Sequence, residues 1–316
     1  MKTLARPPRG AAIAALAALA SAGIAPGARA DTQALDLPND SAANVGYVRI
    51  ADAPSLEPPT FTVEAWIRPT GPSVGGGDAW GCAIVNKPTE GGSTFVLPSY
   101  MLGWSPASKR ITAIGRTEEG GNFNGFSTSL VQVGQSVHAA MTFDGTFMRV
   151  YVNGILESTV PSPGGAIAYG PQDVLLGASN FSNGSLRRFD GSIDEVRIWS
   201  KARSDTEILA AFDCPLPCAD RDGLVAWYRF EGGSLEDASD HGRTGTLVGT
   251  ASVVDGLTQC QDPIVVGDVD GDLCVGATDL ALLLGAWGST TGAADFDFDG
   301  EVGASDLSML LGAWSR

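Results

Sequence analysis

Eight aspartates near the C-terminus occupy matched positions in two copies of one pattern. The stretch from Asp268 to Gly288 reads DVDGDLCVGATDLALLLGAWG, and that from Asp295 to Ser315 reads DFDFDGEVGASDLSMLLGAWS; 13 of the 21 positions are identical at an offset of 27 residues. Each copy sets Asp at positions 1, 3, 5 and 12 of a loop. A hard divalent cation such as Ca2+ takes roughly six to eight oxygen ligands from such a loop. Four carboxylates crowded together repel one another unless a cation sits among them. The spacing therefore predicts two Ca2+ sites. The first would use Asp268, Asp270, Asp272 and Asp279 with the Cys274 carbonyl, and the second Asp295, Asp297, Asp299 and Asp306 with the Glu301 carbonyl. Position 6 needs a sharp turn; it is Gly300 in the second loop and Leu273 in the first, so the second loop is expected to bind more tightly. Acidic solvated loops without metal are the competing reading, and duplication in register argues against it.

An apolar stretch follows each loop. Helices are predicted over 280–287 and 307–314, with Leu280, Leu283 and Leu284 on one face and Leu307, Leu310 and Leu311 on its counterpart. Gly, Thr and Pro precede the loops, so each unit is half of a helix-loop-helix calcium motif. Two loop-helix units at this spacing resemble a type I dockerin module over residues 267–316. That resemblance implies a pseudo-twofold pair of helices, two Ca2+ ions and a cohesin-type partner. Dockerins often contact the partner through a Ser-Thr pair at loop positions 10 and 11. Here Thr278 and Ser305 stand at position 11, each preceded by Ala, and Leu-Gly replaces the family's basic residues further along each helix.

Elsewhere the chemistry-bearing residues are sparse. Retaining glycosidases need two carboxyl groups about 5 to 5.5 Å apart, and in hydrolases of the sandwich type discussed below they stand as ExDxxE, a string this chain lacks. The acids Asp190, Asp194 and Glu195 read as part of a structural strand, and His138 as a packed residue. Aromatic platforms for a sugar are sought in loops; Trp80 and Trp104 are the candidate ligand contacts, with Phe123 and Phe126 in similar Gly-rich surroundings, and core packing is the rival reading for each. Five cysteines leave one unpaired; Cys214 with Cys218 and Cys260 with Cys274 are plausible local pairs.

The elements that must carry these residues read as strands. In FTVEAWI, Phe61, Val63, Ala65 and Ile67 share a face; Asp144-Gly145 and Asn153-Gly154 are hairpin signals. Ser204 and Glu207 form a capping box for one short helix. The strings TFTVEAWIRP, HAAMTFDGTFMRVYVNG, VLLGA and FDGSIDEVRIWSKARSDTEI, in that order, resemble the laminin-G-like, concanavalin A-like jelly roll. The resemblance covers residues 34–212 and implies two antiparallel sheets packed face to face. The segment DGLVAWYRFEGGSLEDASDHGRTGTL resembles the opening of such a domain; it is expected to add strands over 222–256, with a truncated second copy as the alternative.

Residues 1–30 carry Lys2, Arg6 and Arg9, a run of small apolar residues, and Ala28-Arg29-Ala30, the pattern of a cleaved export signal. Its removal takes away four positive charges and moves the net charge from −16 to −20. Such a surface disfavours nucleic acid. The expectation is an all-β antiparallel sandwich over 31–257, a linker over 258–266, and the small helical calcium-binding unit over 267–316. The whole is expected to be secreted or at the cell surface, without a transmembrane anchor in the mature chain. A non-catalytic role is favoured, in which the sandwich recognises a glycan or an extracellular protein and the C-terminal unit docks to a cohesin-like partner. The rivals are a polysaccharide-active glycoside hydrolase and a structural surface protein without ligand.

Overall fold

The computed structural model describes residues 33–41, 44–71, 80–89, 97–119, 121–180, 186–212, 216, 218–239, 241–255, 265–290 and 292–315. Residues 1–30, read from sequence as an export signal, most of the expected linker, Cys214 and Cys260 lie outside the described residues. The chain divides into a large unit, Ala30–Asp262, and a small one, Pro263–Ser315.

The large unit is a two-sheet antiparallel sandwich. Its strands are β1 (Gln33–Leu37), β2 (Gly46–Ile50), β3 (Phe61–Pro69), β4 (Cys82–Pro88), β5 (Pro98–Ser105), β6 (Arg110–Arg116), β7 (Asn122–Phe126), β8 (Val137–Phe143), β9 (Phe147–Val152), β10 (Ile155–Pro161), β11 (Val174–Leu176), β12 (Ala178–Asn180), β13 (Leu186–Arg188), β14 (Gly191–Trp199), β15 (Leu224–Tyr228), β16 (Thr246–Gly249) and β17 (Ser252–Asp255). One sheet runs β10-β9-β8-β3-β14-β1-β17, with β15 also on β14; the other runs β16-β2-β11-β4-β5-β6-β7; β12 and β13 make a short hairpin. The strand reading of the sequence explains why these faces meet. Phe61, Val63, Ala65 and Ile67 all enter the shared core, with Tyr100, Leu102 and Trp104 from the opposite sheet. The turn at Asn153 (φ 49°) and Gly154 (φ 77°) closes the β9–β10 hairpin, as its sequence signals.

Strands from 224–255 complete this sandwich instead of starting a second one. β15 extends the side of β14 that β1 begins, β16 pairs with β2, and β17 pairs with β1, so both sheets gain an outer strand late in the chain. Cys82 is buried and takes part in no disulfide, which makes it the odd cysteine; Cys218 and Cys274 each take part in one.

Helix α1 (Asp205–Ala211) covers the outer face of the first sheet. Ser204 Oγ accepts from the Glu207 amide while Glu207 Oε2 accepts from the Ser204 amide, the capping box expected of these residues. Ile208 packs on Ala140 and Tyr151, which is why alternate residues that would face solvent in a bare sheet are buried here.

The small unit holds α2 (Ala277–Gly285) and α3 (Ala304–Gly312). Both begin three residues earlier than the apolar periodicity predicts. The reason lies in the loops: Asp279 and Asp306 sit at the third helical position and accept from the Gly276 and Gly303 amides, so the last loop residues already belong to the helix. Among the described residues no helix is long and apolar enough to cross a membrane.

Candidate functional site

Each acidic loop is wound around its own carboxylates. In the first loop, Asp279 Oδ1 accepts from the amides of Val269 (2.7 Å) and Asp270 (3.2 Å), and Oδ2 from that of Gly276 (2.8 Å). Asp268 accepts from Gly271, Asp272 and Leu273. The second loop repeats this, with Asp306 accepting from Phe296, Asp297 and Gly303. The short Asp at position 12 is thus within reach of the loop's own amides. Carboxylate oxygens of Asp268, Asp270 and Asp279 lie within 4.8 Å of one another, as do those of Asp295, Asp297 and Asp299. Asp272 and Asp306 are not part of these groups; Asp272 accepts from the Cys274 amide and Asp299 from the Glu301 amide. Asp295 Oδ1 is buried and has no hydrogen-bond partner. A converging triad of carboxylates, one with an orphaned oxygen, fits a hard cation bound by Asp side chains and loop carbonyls.

Electrostatics differ between the anchors. Burial raises the pKa of Asp268, and the neighbouring charges of Asp279 and Asp270 add to it against the pull of the Gly271 and Leu273 amides. For Asp306, burial is outweighed by the amides of Gly303, Phe296 and Asp297, which hold it below the usual carboxylate range.

Backbone strain in the loops differs from the expectation. Leu273 at position 6 has φ 69°, where Gly300 has φ 90°; but position 4 is also left-handed, Gly271 at φ 80° and Phe298 at φ 59°. Each loop therefore places one glycine and one bulky residue in this region. The ranking that favoured the second loop loses its basis.

The two loops lock each other. The Ser315 amide donates to Val275 O and the Val275 amide to Ser315 Oγ, both at 2.9 Å; the Gly288 amide donates to Val302 O and the Val302 amide to Ser289 O, also at 2.9 Å. Residues 275 and 302, and 288 and 315, are each 27 apart, so the sequence repeat becomes a pseudo-twofold in space. The core between the helices holds Val275, Leu283, Ala294, Val302 and Leu310, with Leu280 and Leu307 against it. Leu284 and Leu311, expected on that inner face, are instead 53% and 52% exposed, and Trp287 and Trp314 are exposed beside them in sequence. Each of these two leucines follows a buried one, Leu283 or Leu310, by one residue, about 100° round the helix, and so falls outside the face turned to this core. Thr278 and Ser305 are exposed in the first helical turns.

In the sandwich, Glu195 belongs to a buried ionic lattice together with Glu64, which the sequence did not single out, while Asp190 accepts from Thr70 Oγ1 and Asp194 from the Glu195 amide. Glu64 Oε1 accepts from Trp199 Nε1 (2.9 Å) and Arg203 Nη1 (3.0 Å), and His138 Nε2 lies 3.5 Å from Oε2. Burial would raise the Glu64 pKa, but His138, Arg197 and Arg203 together lower it to about 2. Glu195 accepts from Arg197 and from Trp227 Nε1 (2.9 Å), with Arg229 at 3.3 Å. Burial opposes these partners, and the two arginines and the indole prevail, so its pKa is lowered. Asp194 goes the other way, raised by burial and by the charges of Glu195 and Glu231. Glu64 Oε1 and both oxygens of Glu195 are taken up by arginines and indoles, while Glu64 Oε2 has only the 3.5 Å approach of His138, an arrangement suited to holding β3, β14 and β15 together. His138 is the packed residue that the sequence suggests, edge-on to Trp66 at 6.0 Å between ring centroids.

The aromatic candidates separate. Trp104 is fully buried, its Nε1 donating to Val131 O at 3.1 Å and its ring edge-on to Phe189, so it is a core residue. The strand parity of β5 sends Tyr100, Leu102 and Trp104 inward together. Phe123 is also in the core. Trp80 lies half-buried on the outer face of the seven-stranded sheet against Ala83, Met101 and Ile114, and Phe126 is 37% exposed. NFNGF, read from its glycine as loop, is strand β7; its alternation of polar or exposed residues with Phe123 and Gly125 was the available signal.

Two antiparallel sheets joined over one core define a jelly-roll sandwich, the class that includes many binding modules. The family model that matches residues 42–209 is that of the concanavalin A-like lectin/glucanases superfamily, and this chain belongs to that superfamily. No curated protein matches the chain. Among solved structures it is similar to a candidate carbohydrate-binding protein from Bacteroides ovatus, at 21% identity over 74% of this chain and 62% of that one, with a TM-score of 0.48. It is similar to a heptameric SAP-like pentraxin from Limulus polyphemus at 14% identity over 72% and 96% of the two chains, TM-score 0.48. It is also similar to the CBM40 module of the Ruminococcus gnavus IT-sialidase bound to α2,3-sialyllactose, at 16% identity over 58% and 99%, TM-score 0.45. This chain spans less than two thirds of the length of the first of these.

Proposed function

We propose that this chain is an exported, non-catalytic binding protein in two parts. The sandwich recognises a glycan, and the C-terminal unit is a dockerin-like module that binds two Ca2+ ions and docks to a cohesin-type protein. The observation that carries the reading is the pair of carboxylate triads on reciprocally locked loops. A pseudo-twofold loop pair with exposed Leu284, Trp287, Leu311 and Trp314 presents the same apolar side chains twice, which suits docking better than it suits sensing. Membership of a superfamily named for lectins and glucanases supports the sandwich's part. Between those two roles the buried, ion-paired acids favour binding.

Calorimetric titration of the calcium-stripped chain tests it. Two ions per chain are expected, and Asp299→Ala should remove about one of them. Two ions still bound to that variant would count against the assignment. A pull-down from exported proteins with and without calcium then tests docking through the partner it retains.

A further inference from the structure

Register places one row of side chains across the outer face of the seven-stranded sheet: Arg49, Leu175, Asn86, Met101, Ile114 and Asn124 stand opposite one another in turn. The row ends on β7, an edge strand. Phe123 is in the core and a Cβ on Gly125 would meet Val150 Cγ2 at 2.8 Å, so Asn122, Asn124 and Phe126 face outward. Three observations meet there. Asn124 Oδ1 is buried and has no hydrogen-bond partner, although the residue itself is partly open to solvent. Phe126 presents an exposed ring, and its cross-strand partner Thr112 donates to the backbone carbonyl of Trp80 at 3.1 Å, while the Trp80 side chain packs on Met101 and Ile114 of the same row. Arg116 donates to Asn122 Oδ1 at 3.2 Å and has no carboxylate partner among the described residues.

We propose that the outer β6–β7 edge is the subsite for a neutral saccharide ring, an assignment that rests on the glycan reading of the sandwich. An orphaned buried acceptor is costly, and a sugar hydroxyl satisfies it after a small rotation of the amide. The Phe126 ring takes the C–H face of the sugar, and the remaining Arg116 N–H groups donate to its oxygens. Glu118 and Glu119, exposed just beyond Arg116, disfavour a carboxylated sugar. An edge strand can also pair with an extended peptide. Here, however, the unsatisfied groups lie on the side-chain face, where a peptide strand added to the edge would not reach them.

The test uses the full chain and immobilised cello-, xylo-, manno- and galacto-oligosaccharides, followed by calorimetry with the strongest binder. Asn124→Ala and Phe126→Ala should each weaken binding about tenfold, a loss of the size expected for one hydrogen bond or one stacking contact. Asn124→Asp, which keeps an acceptor, should bind nearly as the parent does. Phe147→Ala, at an equally exposed ring on the other sheet, should leave affinity unchanged, with thermal melts establishing that every variant is folded. A parent chain that binds none of the sugars overturns the glycan reading itself. Binding that survives Asn124→Ala and Phe126→Ala, or falls equally with Phe147→Ala, overturns the subsite alone, and an extended peptide displacing the sugar also overturns it.

Discussion

Glu64 and Asp194 stand on the paired strands β3 and β14 and are pushed in opposite directions: its partners favour the ionised form of Glu64, whereas burial and the charges of Glu195 and Glu231 raise the pKa of Asp194. Glu64 has a folded-state pKa of about 2, below its ordinary value, so its contribution to stability is present above roughly pH 4 and is lost as pH falls toward 2. Asp194 has a raised pKa, so its contribution is full below about pH 4 and is lost as pH rises through the folded value. Glu64→Gln leaves Arg197 and Arg203 short of a buried counter-charge and should cost about 3–5 kcal/mol. Acid unfolding followed by near-ultraviolet circular dichroism should lose its steep limb in that variant. Asp194→Asn should flatten the opposite limb, raising stability near neutral pH relative to acid; an unchanged slope would show that Asp194 ionises freely.

The acidic loops are where one element's geometry decides its energetics. A left-handed non-glycine residue costs about 1 kcal/mol, and each loop carries one, Leu273 or Phe298. Leu273→Gly and Phe298→Gly should therefore each tighten calcium binding, by about fivefold at their own loop, because the bound loop has to hold that left-handed turn. Titration of the two variants side by side checks this; a gain confined to Leu273→Gly would restore the expectation that the second loop starts ahead. The capping Asp residues fold position 12 into the helix, so a change of Asp279 or Asp306 should lower helicity as well as metal affinity. No comparable coupling exists for Asp270 or Asp297, which lie outside the helices.

For the whole molecule, two cores of very different size imply two responses to one reagent. The sandwich core draws on both sheets and is tied by a buried Lys87 ammonium that bonds Asp52, Glu57 (3.0 Å) and the carbonyls of Gly170 (2.8 Å) and Gln172 (2.7 Å), an internal cation that no chelator removes. The small core is little more than five buried apolar residues between two short helices, and such a core relies on metal for stability. Chelation should abolish the helical signal of the small unit and leave the sandwich's near-ultraviolet spectrum intact. Loss of both signals together would tie the sandwich to calcium and contradict the role given to Lys87.

Much of this was legible in the chain. Alternation in FTVEAWI, the turn at Asn153-Gly154 and the Ser204–Glu207 box act through neighbours a few residues apart, and the 27-residue repeat carries its aspartates at matched positions in plain view. Local periodicity determined these because strand parity, turns and capping depend on short sequence separations. What needed the tertiary structure depends on which face a residue meets. Trp80 and Trp104 have similar sequence surroundings, yet one lies on the sheet's outer face and the other is sealed in the core by its strand's parity. Leu283 and Leu284 are both apolar, and the packing of one helix face against the facing helix turns one inward and leaves the other to solvent. The late strands join both sheets through partners some two hundred residues earlier, and Asn124 becomes an orphaned acceptor only where β7 forms the edge. Such long-range pairings and unsatisfied groups have no local signature, because burial is a property of the packed neighbours and not of the residue.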